Sequence, residues 1–187
     1  MVSQTTSPNY ASAFEDDARI LDRYDLDTLT DSPQRTSVMI HFDHPPKEVF
    51  EYLLAEVDQY DDSIVEVTFD NSTSAEPGSR SVGSARLCTF DNGKVLVEPL
   101  LVYEPHRFYA YTVDPERSTF RLPIRDVLMF YSFEETAKGT LVTVRAHYTA
   151  KSRIASPIVG SVFNRTVRKT FARAAERFGG TLIDPSR

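Results

Sequence analysis

The sequence contains no tryptophan and only one cysteine among its 187 residues. A single cysteine excludes an internal disulfide and any metal site that needs several thiolates. The four histidines are scattered and have no carboxylates at metal-ligand spacing, so the sequence predicts neither a metal nor a cofactor. GxSxG, GxGxxG and P-loop motifs are also absent, which leaves no basis for a serine hydrolase, a dehydrogenase or a nucleotide-binding protein.

Basic charge is also scarce. The chain has 21 Lys and Arg against 27 Asp and Glu, a net charge of -6, and this argues against a nucleic-acid partner. No apolar run approaches about 18 residues, so we expect no stable membrane insertion. The start, MVSQTTSPNYASAFEDD, lacks the basic end and apolar core of a secretory signal. We therefore expect a cytoplasmic globular protein, either a monomer or a homodimer.

The chain divides into an acidic arm, residues 1–33, and a regular domain, residues 34–187. The domain starts with a strand-like segment, QRTSVMIHFDH, and a helical segment, HPPKEVFEYLLAEVDQY, with proline in its first turn. SIVEVTF is predicted to be a short strand. Five further strand-like runs, separated by short turn signals, cover residues 80–90, 94–103, 107–113, 126–134 and 140–150.

A long helix is predicted over about residues 155–178, ended by Gly179 and Gly180. Its apolar stripe is expected to pack on the sheet and consists of Ile158, Val159, Val162, Phe163, Val167, Phe171, Ala174 and Phe178. The order of elements predicts an α+β fold in which a curved antiparallel sheet of about seven strands wraps around the long helix. One helix cannot fill the concave side of such a sheet, so we expect an internal hydrophobic cavity.

The domain resembles the START-like or SRPBCC superfamily, whose helix-grip fold includes polyketide cyclase/dehydrase-like proteins, pollen-allergen-like proteins and lipid-transfer domains. The resemblance covers about residues 34–178 and rests on PPKEVFEYL, PGSRSVGSARLCTF, VLVEPLLVYEPHRFYAYTV and YSFEETAKGTLVTVRAHY, together with the closing helix. It implies a fold and no particular activity, because members range from carriers to enzymes. The lack of tryptophan and the acidic arm depart from the cyclase pattern.

The alternation of side chains along strands predicts which residues face the cavity. If residues 104–107 form a four-residue loop, Tyr103 pairs with Phe108, and one face carries Leu96, Glu98, Leu100, Val102, Tyr109, Tyr111 and Val113. A loop over residues 136–139 places Met129, Tyr131, Phe133, Val142, Val144, Ala146 and Tyr148 on one face. The opposite face of that hairpin is polar and is expected to be wet.

The Asn92-Gly93 turn decides where two charged side chains point. A two-residue loop puts Arg86 and Glu98 on opposite faces, whereas a three-residue loop with Gly93 in the left-handed conformation puts them opposite each other on one face. The second register is favoured, because GSAR matches a Gly-x-x-Arg strand that often places its arginine in the pocket in the resembled families. A buried pair also explains why both charges stand among apolar neighbours. The alternative is a surface pair of little energetic consequence.

The resemblance implies that an oxygenated hydrophobic small molecule binds in the cavity. The leading hypothesis is a cofactor-independent polyketide cyclase/dehydratase-like enzyme in which Arg86 holds an enolate or carboxylate, Glu98 is the base, and Tyr111 or Tyr131 is the acid. The predicted ligand-binding residues are Cys88, Leu100, Tyr109, Met129, Phe133, Val144, Tyr148 and Phe163. The alternatives are a non-catalytic carrier of a hydrophobic small molecule and a lipid or quinone chaperone at a membrane surface. Simple core packing also accounts for the tyrosines and for Cys88.

Overall fold

A computed structural model describes residues 29–152 and 156–183, so most of the predicted acidic arm lies outside the described residues. The first elements are strand β1 (Gln34–Phe42), helix α1 (Pro46–Ala55), a 3-10 turn (Val57–Gln59) and strand β2 (Ile64–Asp70). A meander follows, formed by β3 (Ala85–Phe90), β4 (Val95–Glu104), β5 (Phe108–Thr112), β6 (Ile124–Thr136) and β7 (Gly139–Ala150). The long helix α2 (Ser156–Arg177) and strand β8 (Gly180–Ile183) complete the described chain.

The strands form one antiparallel sheet in the order β2-β3-β4-β5-β6-β7-β1-β8. This is the predicted α+β helix-grip architecture with eight strands instead of about seven. The additional strand follows Gly179, where the chain turns with a φ of 59° and then pairs Ile183 with Met39 of β1. The predicted end of α2 at the two glycines is therefore correct, but the residues after them extend the sheet.

The β3–β4 hairpin adopts the favoured three-residue register. The Phe90 N–H donates to the carbonyl oxygen of Lys94 at 2.8 Å, and Gly93 has a φ of 74°. A positive φ at this position suits glycine, which has no Cβ to clash with the backbone. Arg86 is consequently paired directly opposite Glu98, so the prediction that both side chains share one face is confirmed.

The β4–β5 hairpin differs from the prediction. Glu104 pairs with Phe108 around a three-residue loop in which His106 has a φ of 65°, and the predicted pairing of Tyr103 with Phe108 is wrong. A register shift between Leu100 and Val102 restores the predicted pairing of Leu100 with Tyr111. Val102 is thereby turned to the opposite, convex face.

The convex face is less polar than predicted. A second hydrophobic cluster is buried there, formed by Val102, Phe108, Ala110, Leu128 and Phe130. Leu29, from the segment that precedes β1, packs against this cluster, together with Leu101. The β6–β7 register agrees with the prediction, because Tyr131 pairs with Val144 and Phe133 with Val142.

Helix α2 packs on the concave face mainly through its C-terminal half, where Val167, Phe171, Ala174 and Ala175 are buried. The prediction that Ile158 and Val162 belong to the packed stripe is wrong, since they are 71% and 61% exposed. The helix meets the sheet along its later turns, and these two side chains point to solvent. This arrangement leaves space beneath the middle of α2.

Candidate functional site

A cavity of about 170 Å³ lies between helix α2, the 3-10 turn and strands β3 to β6. It is lined by Val57, Tyr60, Asp61, Ile64, Arg86, Cys88, Phe90, Leu96, Glu98, Tyr111, Val113, Leu122, Val127, Met129, Tyr131, Phe163, Thr166, Val167, Thr170 and Phe171. The lining is mostly apolar and aromatic, as in small-molecule sites. The partly exposed Asp61 and the exposed Thr166 mark its mouth.

The polar end of the cavity is built on the β3–β4 hairpin. The Arg86 Nε donates to the Glu98 Oε2 at 2.7 Å, and the two side chains are only 3% and 6% exposed. Burial lowers the pKa of Arg86, but the nearby Glu98 carboxylate and phenols reverse the direction, and the net pKa lies well above its ordinary value. The guanidinium is therefore charged, and its charge is compensated inside the protein.

The remaining contacts of Arg86 are structural. Its Nη1 donates to the carbonyl oxygens of Leu54 at 3.0 Å and Leu53 at 3.5 Å, at the C-terminal end of α1. The last carbonyls of a helix lack partners within the helix, and a cation is favourable at that end. The guanidinium also lies 4.5 Å from the centre of the Tyr111 ring. Arg86 thus joins the cavity floor to α1.

Three further buried polar groups line the cavity with Glu98. The Cys88 thiol donates to the same Glu98 Oε2 at 3.4 Å. The hydroxyls of Tyr111 and Tyr131 are hydrogen-bonded to each other at 3.3 Å. A carboxylate bonded to a thiol and a pair of bonded phenols therefore line one largely apolar cavity.

Burial fixes the protonation of the two phenols and the thiol. It raises the pKa of Tyr131 to about 12 and that of Tyr111 well above its ordinary value. Burial, reinforced by the Glu98 charge, also raises the pKa of the Cys88 thiol. At neutral pH both phenols are hydrogen-bond donors and the thiol is not a nucleophile, because thiolates carry that reactivity.

Comparison with known proteins identifies the family of this chain. Residues 33–182 match the family described as polyketide cyclase/dehydrase and lipid transport. The chain belongs to this family. Membership confirms the resemblance to the START-like or SRPBCC superfamily, and with the apolar cavity it supports a protein that binds a hydrophobic small molecule.

Solved structures agree with the helix-grip fold of the family. XoxI from Bacillus cereus is 16% identical with a TM-score of 0.56, and the match covers 76% of this chain and 94% of XoxI. A protein from Nitrosospira multiformis is 18% identical with a TM-score of 0.55, covering 78% and 96%. Ara h 8.0201 is 15% identical with a TM-score of 0.56, covering 75% and 94%. No curated protein matches the sequence.

Within this family member, the structure brings seven of the predicted site residues to the cavity. They are Arg86, Cys88, Glu98, Tyr111, Met129, Tyr131 and Phe163. All four residues predicted to be catalytic are in this group. Their placement depends on the three-residue hairpin and on the pairing of Tyr111 with Met129, and of Tyr131 with Tyr109, between β5 and β6.

The other five predicted ligand-binding residues pack into the core. They are Leu100, Tyr109, Phe133, Val144 and Tyr148. Phe50 of α1 lies against Tyr109 and Phe133, with ring centres 5.2 and 5.1 Å apart. Tyr148 is covered by α2, where its hydroxyl donates to the Asn164 Oδ1 at 3.0 Å. Helices α1 and α2 therefore occupy the concave side over Tyr109, Phe133 and Tyr148.

Sequence reasoning missed several lining residues. Tyr60 and Asp61 lie in an irregular turn, for which neither strand nor helix periodicity gives a face. Thr166 and Thr170 were detectable, because they follow Phe163 at positions i+3 and i+7 on one helix face. The hydroxyl of Tyr60 donates at 2.7 Å to the carbonyl oxygen of Leu53, which also accepts a hydrogen bond from Arg86.

Two further features of the described residues concern metal binding and membrane insertion. No group of three or more His, Cys, Asp or Glu side chains in residues 29–152 and 156–183 could hold a metal ion. Over the same residues, no helix has both the length and the apolar character needed to cross a membrane.

Proposed function

We propose that the protein is a cofactor-independent enzyme of the cyclase/dehydratase kind, acting on a small, largely apolar molecule that carries oxygen groups. The observation that supports this best is that the buried Glu98 carboxylate lines the same largely apolar cavity as the hydrogen-bonded Tyr111 and Tyr131 hydroxyls. A carboxylate in the same cavity as two phenols that stay protonated can supply a base and an oxyanion-binding pair.

The proposed reaction is the dehydration of a β-hydroxy ketone. Glu98 removes a proton from the carbon between the carbonyl and the carbinol, and the two phenols hydrogen-bond to the developing enolate oxygen. The protonated Glu98 then gives its proton to the departing hydroxyl, which leaves as water. The products are an enone and water, so the step needs neither an oxidant nor a reductant. Arg86 acts as a positioning residue, because its contacts hold Glu98 and the end of α1.

The test is a reaction with 4-hydroxy-4-phenylbutan-2-one in deuterated buffer. Formation of the conjugated enone is followed by absorbance, and deuterium entry next to the carbonyl by NMR. We expect both to depend on protein and to fall by about 100-fold or more in Glu98→Gln. Tyr131→Phe should lower the rate about tenfold or more. Tyr109→Phe is the matched control, because this phenol packs in the core against Tyr131. Rates equal to those in buffer alone would contradict the proposal.

A non-catalytic carrier is the second candidate. It is favoured by a specific observation: the polar groups of the cavity already bond to one another, as in the Arg86–Glu98 and Tyr111–Tyr131 pairs. A carrier binds the hydroxy ketone without enone formation or deuterium exchange. Measuring its affinity by calorimetry beside the rate assays separates the two functions.

A further inference from the structure

The volume of the cavity limits how much of a ligand it can hold. A cavity of about 170 Å³ is close to the ~150 Å³ of an engineered apolar cavity that binds benzene. It is smaller than the roughly 300–1,000 Å³ of sites that enclose drug-sized molecules. The cavity therefore fits one six-membered ring with a short substituent.

The charges of the lining limit the ligand further. Among the described residues that line the cavity, three have acidic or basic side chains: Arg86, Glu98 and Asp61. Arg86 is bonded to Glu98 and to the carbonyls of Leu53 and Leu54, so its charge is compensated before any ligand arrives. A ligand carboxylate at this end would stand beside Glu98 and would have to share the single Arg86 charge with it, and burying a second negative charge there is costly.

Asp61 adds a second negative charge at the mouth. Its Oδ1 accepts hydrogen bonds from the Ser63 N–H at 3.1 Å and the Ser63 hydroxyl at 2.6 Å, which fixes the carboxylate on the rim. An anion approaching the cavity must pass this group. A cation is attracted at the rim, but deeper in the cavity it meets the Arg86 guanidinium.

Resting on the proposed function, we infer that the cavity selects an uncharged single-ring ligand with a carbonyl or hydroxyl group, and that the Arg86–Glu98 pair with Asp61 excludes carboxylates. The oxygen of the ligand meets Tyr111 and Tyr131, whose hydroxyls are bonded to each other at 3.3 Å and can reorient toward it. The ring lies among the apolar side chains below α2, such as Phe163 and Phe171.

Three probes with the same ring test this selection: acetophenone, benzoate and benzylamine, titrated at pH 7 by ligand-observed NMR and calorimetry. We expect the wild-type protein to bind acetophenone at least about tenfold more tightly than either charged probe, a difference of about 1.4 kcal/mol. Benzoate or benzylamine binding as tightly as acetophenone would overturn the inference, and so would the absence of binding by all three.

Glu98→Gln provides the sharper comparison, because it leaves the Arg86 charge uncompensated within the cavity. The ratio of benzoate to acetophenone affinity should rise at least about tenfold in this variant. Asp61→Asn, on the rim, should raise the same ratio about two- to threefold and remains informative if Glu98→Gln does not fold. An unchanged ratio in both variants would overturn the role of these charges.

Selective acetophenone binding without enone formation from the hydroxy ketone would leave this inference standing and contradict only the proposed catalysis.

Discussion

The Nη1 atom of Arg86 donates to the carbonyl oxygen of Leu54 over 3.0 Å, so a strand at the cavity floor is bonded to the end of helix α1. The same guanidinium holds the Glu98 carboxylate through Nε. The charged pair at the site therefore also connects two elements of the fold. A ligand that reaches Glu98 contacts a group whose position depends on α1.

Removing one member of this pair should destabilise the protein strongly. Arg86→Met leaves the buried Glu98 charge without a cationic partner and removes the donor to the Leu54 carbonyl, and we expect a loss of about 3–5 kcal/mol in unfolding free energy. The double variant Arg86→Met with Glu98→Leu should lose clearly less than the sum of the two single variants. Urea unfolding followed by circular dichroism measures each value.

Arg117 provides the matched control, because its Nη2 lies 2.6 Å from the Asp70 Oδ2 while the two side chains are 43% and 31% exposed. Arg117→Met should cost no more than about 1 kcal/mol. Equal losses in Arg86→Met and Arg117→Met would show that the buried pair contributes no more than an exposed one.

Two buried tyrosines should respond differently to loss of their hydroxyl. The Tyr60 hydroxyl donates to the Leu53 carbonyl, whereas the Tyr109 hydroxyl has no hydrogen-bond partner among the described residues. Tyr60→Phe should therefore lower the unfolding free energy by about 1 kcal/mol. Tyr109→Phe should leave it within about 0.5 kcal/mol or raise it. The same urea titration decides this, and a larger loss in Tyr109→Phe than in Tyr60→Phe would refute the assignment of the two hydroxyls.

Local sequence signals predicted much of the fold because each acts over a few residues. A turn at Asn92-Gly93 is compatible with two registers of the β3–β4 hairpin. The presence of both Arg86 and Glu98 among apolar residues favoured the register that pairs them, and the structure has this register. At the turn over residues 104–107, no second feature of the sequence distinguished a three-residue loop from a four-residue loop. Its loop is one residue shorter than predicted, and the bulge after Leu100 that compensates for it leaves no mark in the residue pattern.

The extent of the cavity was harder to predict than the face it occupies. Alternation along a strand indicates which side chains point to the concave side, and it placed Tyr109 and Tyr131 there together. It gives no information on where a helix covers that side. Phe50 fills the space next to Tyr109, while Tyr131 still faces the cavity, and this difference depends on the tertiary position of α1.

The buried phenols should couple stability to alkaline pH. Burial raises the pKa of Tyr52 and Tyr131 to about 12, and it raises the pKa of Tyr60, Tyr109 and Tyr111 well above the ordinary value. Unfolded tyrosines ionise near pH 10, so the folded state holds these protons more tightly. Their contribution to stability is complete below about pH 10 and is lost as pH rises through about 12 and beyond.

In an alkaline titration, phenolate absorbance from these residues should therefore rise together with the loss of the far-ultraviolet circular dichroism signal. Free tyrosine amide in the same buffers calibrates the unperturbed ionisation. Ionisation of all the phenols near pH 10 with the fold intact would contradict the burial of this cluster.

Cys88 should report whether the cavity opens in solution. It is the single cysteine of the chain, its side chain is buried, and burial raises the pKa of its thiol. Since alkylation requires an exposed thiolate, we expect native protein to react with iodoacetamide on the order of 100-fold more slowly than protein in urea. Arg86→Met should accelerate the native reaction, because it loosens the strand that carries Cys88 from α1, whereas Arg117→Met should not. A native rate close to that in urea would mean that the thiol is freely accessible. The Glu98 end of the cavity would then be open to water, which would contradict the burial of Cys88 beside Glu98.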